Sequence, residues 1–206
     1  MLVIGRALSA CLAGTGTVGE IAREFDESER QGRPSVSWTI CVPGLDAAEE
    51  ITRLHRRAAQ TAFAHIFPAE APPPPFDEDL GRWRFWLGAD REQGRQPYTV
   101  EADGRIVGVV LAGPDPDDPA VGHLARFYVD PDRWGTGIGT ALHDVAIADL
   151  ANRWFLVATL WVLEDNVRAR RWYERLGWVQ TSERKPAYDP AGIYDARYVR
   201  DLHTSR

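Results

Sequence analysis

Cysteine is nearly absent. Only Cys11 and Cys41 occur among 206 residues. Two thiols at that separation give neither a disulfide framework nor a metal-ligand cluster, so no metal is expected and a reducing, cytoplasmic setting is. Long hydrophobic runs are missing too. No apolar run approaches the ~20 residues of a membrane span, so no membrane partner is expected. Leu8-Ser9-Ala10-Cys11 has the look of a lipoprotein cleavage box. Arg6 interrupts the apolar stretch, which falls well short of the ~15–30 residues of a signal peptide, so we read the box as chance. There is no excess of positive charge: 24 Lys and Arg stand against 30 Asp and Glu, a net −6. That balance argues against nucleic acid as the main partner and leans towards cationic or neutral ligands. What is present suits one domain: 44% apolar residues for a core and 26% charged residues for a surface.

One stretch organises the rest. An apolar strand-like run from Leu124 to Val129 meets a turn at Pro131. Glycines then alternate at Gly135, Gly137 and Gly139, and a helical pattern follows through Ile138, Ala141, Leu142, Val145, Ala146 and Leu150. Strand, glycine loop and helix N-terminus together make an anion site, most often for phosphate, because the first-turn N–H groups have no partner within the helix. The spacing excludes two common phosphate loops. Thr140-Ala141 is not the Lys-Ser/Thr pair of an NTPase loop, and neither Thr140 nor Leu142 completes a dinucleotide G-x-G-x-x-G/A, which removes a nicotinamide-dependent enzyme.

A second stretch follows a buried strand at 156–163. In Asn166-Val167-Arg168-Ala169-Arg170-Arg171-Trp172-Tyr173, then Leu176-Gly177-Trp178, the residues Ala169, Trp172, Tyr173 and Leu176 share a helix face, and Gly177 ends the helix. The two stretches together resemble the GNAT superfamily of acyl-CoA-dependent N-acyltransferases. Trp134-Gly135-Thr136-Gly137-Ile138-Gly139 is similar to its Gln/Arg-x-x-Gly-x-Gly/Ala loop, with Trp134 departing from Gln or Arg. Asn166, Ala169, Tyr173, Gly177 and Trp178 match its second signature.

The resemblance implies an α/β (α+β) fold: a mixed, mostly antiparallel central sheet flanked by helices and splayed at the strand before the glycine loop. Its domain is expected over 35–206, behind a partly ordered extension at 1–34. The expected elements are a strand over 35–42 and a helix capped by Asp46. Next comes a helix opened by Asp77, then a hairpin turning at Asp103-Gly104. The cofactor strand and helix follow, then the second signature and strands at 178–182 and 194–200, with a loop at 185–192. The stiff acidic loop at 113–119 either draws an ammonium substrate or is merely solvated. Open sheet edges make a homodimer plausible.

The resemblance also assigns roles. Acetyl-CoA is the co-substrate, held by the backbone of Trp134, Gly135, Thr136, Gly137, Ile138, Gly139 and Thr140, by the strand edge at Phe127, Tyr128 and Val129, and by Asn166. Asn166 serves equally as a helix N-cap. Tyr173 is the candidate general acid, since an ordinary phenol pKa of ~10 is close to that of an alkyl thiolate. His123 is the candidate base, with Glu164 and Glu101 in reserve, or else an ordinary strand-end histidine. Phe67, Phe76, Trp83 and Trp86 either wall the acceptor site or pack the helices on the sheet. Neither signature carries a cysteine nucleophile, so direct transfer in a ternary complex to a primary amine of a small molecule or peptide is expected. The alternative is a non-catalytic acyl-CoA sensor.

Overall fold

Val, Ile, Leu and Tyr fill the middle of the chain from 96 to 129, and the fold is built outward from the strands they form. A computed structural model describes residues 37–188 and 191–203. The expected extension at 1–34 lies outside the described residues.

Chain order runs β1 (Trp38–Cys41), α1 (Ala48–Phe63), α2 (Phe76–Leu87), a short α3 (Ala89–Glu92), β2 (Gln96–Ala102), β3 (Arg105–Pro114), β4 (Gly122–Val129), α4 (Ile138–Asn152), β5 (Val157–Leu163), α5 (Val167–Arg175), β6 (Val179–Tyr188) and β7 (Ile193–Asp201). Among the described residues the strands form one sheet in the order β1-β2-β3-β4-β5-β7-β6. Every neighbouring pair is antiparallel except β4 and β5. That one parallel pair is short. It holds only at Gly122↔Ala158 and His123↔Thr159. Beyond it, Leu124–Val129 and Leu160–Leu163 have no partner across the gap, and the sheet splays as expected.

Each face of the sheet is covered. On one side Ile51 and Leu54 of α1 and Trp83 and Leu87 of α2 pack on Ile106, Val109 and Leu111. On the other, Ile138, Leu142, Ala146 and Leu150 recur at helical spacing along α4 and pack on Val100, Val107, Val110, Ala112 and Leu124. No helix among the described residues is long and apolar enough to cross a membrane.

Several expected boundaries move. The first strand spans Trp38–Cys41 and stops before Val42, while residues 35 and 36 of the expected strand lie outside the described residues. Asp46 caps nothing. It sits in a single 3-10 turn at Leu45–Ala47, and α1 opens behind it with no side-chain cap. α2 opens one residue before Asp77, at Phe76. The 113–119 segment is only partly loop, since β3 runs through Pro114. The 185–192 segment is also partly strand, because β6 continues to Tyr188. Pro186 is tolerated there because β6 is the outermost strand and no further strand requires its missing N–H. The Asp103-Gly104 turn is as expected, with φ of +53° and +69°, the left-handed pair of a type I′ hairpin.

Candidate functional site

The site begins with an irregularity in β4. Val109 pairs with Tyr128 and Leu111 with Ala125, so β4 carries one more residue than β3 between those pairs. The extra residue is a β-bulge, and Arg126 takes up the strain at φ +50°. Its guanidinium lies 4.6 Å over the Trp86 ring. The bulge bends β4 just where its other edge faces the splay.

β4 then hands over to the glycine loop through a pinned turn. Asp130 accepts from the Asp132 N–H at 2.9 Å. Arg57 of α1 pairs with Asp130 at 2.8 Å and also with Asp132. The Trp134 indole N–H donates to the Val129 carbonyl at 2.9 Å. Thus Trp134 spends its one polar group inside the protein. Gly135 and Gly137 follow at φ +81° and +91°, and a Cβ on either would meet nothing within 4 Å. α4 opens on Gly137 with no capping side chain and no acid in its first turn. Free first-turn N–H groups, a helix dipole without a counter-charge and open space above the backbone are what a phosphate requires. Ile138 is buried beneath the loop, and Thr140 is exposed.

The second signature folds against the first. The Arg168 guanidinium lies 3.7 Å over the Trp134 ring, and a Cβ on Gly139 would touch Trp172 at 3.5 Å. Among the described residues Arg168 has no carboxylate partner. Thus a cation returns beside the loop at the place where Trp134 departs from the family pattern. Asn166 accepts from the Ala169 N–H at 3.1 Å, capping α5, and among the described residues its amide N–H₂ has no partner.

The cofactor-strand residues divide by face. Phe127 packs on Trp172, ring centroids 5.2 Å apart. Tyr128 turns the other way, onto His55 of α1 at 4.2 Å. Val129 gives its carbonyl to Trp134. Among the described residues their backbone edge towards β5 is unpaired.

Tyr173 is 8% exposed, against Trp172 at 4.9 Å and Trp178 at 6.1 Å. Burial, and then the neighbouring Tyr128 phenol, push its pKa above the ordinary phenol value. It is therefore protonated at neutral pH, and the near-balance expected with a thiolate shifts towards the phenol keeping its proton. His123 stands at the apex of the splay, 7% exposed. Its Nδ1 lies 2.9 Å from Thr159 Oγ1. Burial lowers its pKa to about 4, with Asp115 opposing the shift. The imidazole is neutral at pH 7.

The reserve bases fare differently. Glu164 is engaged by Arg184 at 2.8 Å. Glu101 sits on β2 opposite Thr39, two strands from β4, and does not join the site. Trp83 is core rather than pocket wall. It is fully buried and donates to His55 Nδ1 at 3.2 Å. Trp86 is half-buried under Arg126, and Phe76 packs beneath Arg56 at 5.9 Å. Phe67 meets Tyr188 at 6.1 Å, which joins the α1–α2 segment to the end of β6.

Sequence reasoning missed four groups. Arg168 lay in an arginine run that reads as a solvated face, and Arg126 carried no turn signal. Asp195 on β7 is a carboxyl raised above its ordinary value by burial, with Lys185 and Arg126 opposing. Asp115, placed in an acidic loop that was either solvated or drawing substrate, is instead 1% exposed.

Comparison with known proteins is consistent with this geometry. The model of the acetyltransferase (GNAT) family matches residues 56–178. An uncharacterized N-acetyltransferase of Methanocaldococcus jannaschii is 35% identical over 102 residues, covering 47% of this chain but only 44% of that protein. A second from the same organism is 34% identical over 139 residues, covering 65% of this chain and 71% of that one. Among solved structures, the PaiA N-acetyltransferase of Thermoplasma acidophilum, in complex with coenzyme A, superposes with a TM-score of 0.60 at 16% identity, over 80% of this chain and 99% of that one. At that identity the likeness speaks to the fold.

Proposed function

The chain belongs to the acetyltransferase (GNAT) family, and from that premise we propose that it is an N-acetyltransferase moving an acetyl group from acetyl-CoA to a primary amine by direct transfer in a ternary complex. The observation that carries this reading is the loop. Gly135 and Gly137 leave open space over an uncapped, acid-free helix N-terminus, beside the unpaired edge of β4. These residues fit a pyrophosphate and an amide-bearing arm.

When bound, acetyl-CoA supplies an already activated thioester. The backbone N–H groups of 135–140 hold its phosphates. The edge of β4 at Phe127–Val129 would offer the arm strand-like hydrogen bonds, and one N–H there would serve as a single oxyanion donor. The Asn166 amide serves the same arm. Tyr173 donates its hydroxyl proton to the departing sulfur. His123, neutral and at the apex of the splay, takes the proton of the amine. A substrate ammonium is drawn by the net negative chain and by Asp195 near the cleft. The scarcity of cysteine fits a reducing cytoplasm, and the exposed outermost strand β6 leaves room for pairing with a second copy.

Thiol release from acetyl-CoA against a panel of primary amines tests this. The expected result is amine-dependent release with intersecting initial-rate patterns. Parallel, ping-pong patterns would contradict direct transfer, and no release with any amine would contradict the enzyme.

A further inference from the structure

Thr159 faces His123 across the two-residue pairing of β5 and β4. Its hydroxyl touches three groups: Asp115 Oδ2 at 2.5 Å, His123 Nδ1 at 2.9 Å and the Gly122 carbonyl at 3.3 Å. A threonine hydroxyl has one proton and two lone pairs. Asp115 also accepts from the Asp117 N–H at 2.9 Å, and Arg197 stands 3.5 Å away. Burial alone would raise this carboxyl. The hydrogen bonds from Thr159 and Asp117, with His123 and Arg197 nearby, hold it below its ordinary value. It is therefore ionised and only accepts. A carbonyl also only accepts, so the hydroxyl proton goes to Asp115, by far the shorter contact. Towards Nδ1 the Thr159 oxygen can then act only as acceptor. Nδ1 must carry the hydrogen.

We propose that Asp115 and Thr159 are positioning residues that fix His123 as the Nδ1–H tautomer, leaving the Nε2 lone pair as the base for the acceptor amine. The proposal rests on the acetyl-transfer reading above. Nε2 has no partner among the described residues. In the step it serves, the amine nitrogen bonds to the thioester carbonyl carbon, the carbon–sulfur bond breaks, and the amine proton moves to Nε2. The ammonium first gives one proton to solvent; the sulfur then takes the Tyr173 proton, and Tyr173 recovers one from the imidazolium through solvent, so that amide, free thiol and the one released proton are the products. The imidazolium formed in passing is steadied by the Asp115 charge through Thr159.

That charge matters because His123 is otherwise surrounded by cations. Arg95 just before β2, Lys185 on β6 and Arg126 on its own strand all oppose its protonation, and Asp115 alone favours it. An aspartate hydrogen-bonded directly to a histidine and fixing its tautomer is a known catalytic device. Here a hydroxyl stands between the two.

The test uses full-length protein with ¹⁵N-labelled histidine. At neutral pH, His123 in the wild type should show a protonated Nδ1 and a bare, pyridine-like Nε2. Thr159→Val should release the tautomer and lower kcat/KM for the amine on the order of tenfold or more, leaving KM for acetyl-CoA unchanged. Thr159→Ser, which keeps the hydroxyl, should restore both. Asp115→Asn should move the acidic limb of the kcat/KM profile to lower pH and reduce its plateau. A wild-type His123 protonated at Nε2 would overturn the proposal while leaving the acetyl-transfer reading intact. So would a Thr159→Val enzyme with unchanged kcat/KM. Should wild-type thiol release fail with every amine, the transfer reading falls first, and the catalytic half of this proposal with it.

Discussion

Gly137→Ala separates what the loop does for folding from what it does for a ligand. Gly137 sits at φ +91° and ψ −16° as the N-cap of α4. An added methyl meets no atom of the described residues within 4 Å, so no clash contributes. What remains is the cost of a left-handed backbone for an L residue, about 1–2 kcal/mol. In a domain of this size that lowers Tm by about 2–8 °C. Gly104 provides the control. It lies at φ +69° with nothing within 4 Å of its Cβ, in the β2–β3 hairpin. Gly104→Ala should therefore cost a similar amount of stability. The two variants should part company when acetyl-CoA is added. Gly104→Ala should gain as much Tm as the wild type, whereas Gly137→Ala should gain little, because its methyl projects into the space the phosphates need. Differential scanning fluorimetry with and without acetyl-CoA reads both quantities. An equal acetyl-CoA shift in all three proteins would refute the assignment of the loop.

Three further outcomes follow from the same structure. Tyr173→Phe should lower kcat on the order of a hundredfold with little change in KM for acetyl-CoA, since it removes a proton donor and keeps the ring between Trp172 and Trp178; unchanged kcat in a thiol-release assay would remove Tyr173 from the acid role. Trp134→Phe keeps a face for Arg168 but loses the N–H to Val129, and should cost about 1 kcal/mol in a urea melt; no loss would mean that this bond does not hold the loop. Stability should also fall on acidification. The His123 pKa is about 4 when folded against about 6.5 in the unfolded chain. Below pH 6.5 the unfolded state binds a proton that the native state refuses, so native stability drains away as pH falls from about 6.5 to about 4, by on the order of 3 kcal/mol for this residue. The lowered His55, at about 4, acts in the same direction. Urea melts at pH 7, 5.5 and 4.5 should show falling midpoints, and a flat or rising series would show that His123 is not buried as a neutral imidazole.

The parts of the site that were legible in the sequence are those whose chemistry is local. The glycine spacing marks the loop because a left-handed backbone has few tenants. The face shared by Ala169, Tyr173 and Leu176 marks α5 because helical period is written in the chain. The splay beside β4 followed from the resemblance rather than from any residue pattern. What escaped was set by long-range pairing. Arg126 adopts a positive φ because β4 must absorb one extra residue against β3, and no glycine announces it. Asp115 stood in a loop, among Pro114, Pro116, Asp117 and Asp118, that read as either drawing an ammonium substrate or merely solvated. It turns inward because Thr159 lies 44 positions along the chain, and spacing alone does not bring the two together. The segment at 185–192 was expected as a loop, yet β6 continues through Pro186 because β6 lies outermost, which emerges only from the topology.

The most direct test of the central claim is calorimetric titration of the full chain with acetyl-CoA, together with thermal unfolding at a hundredfold excess over the measured Kd. We predict one site per chain and a stabilisation of about 2.7 kcal/mol at that excess, lost on Gly137→Ala and kept on Gly104→Ala. A folded protein that takes up no acetyl-CoA would contradict the account, for every step assigned to Tyr173 and His123 begins with that ligand on the loop.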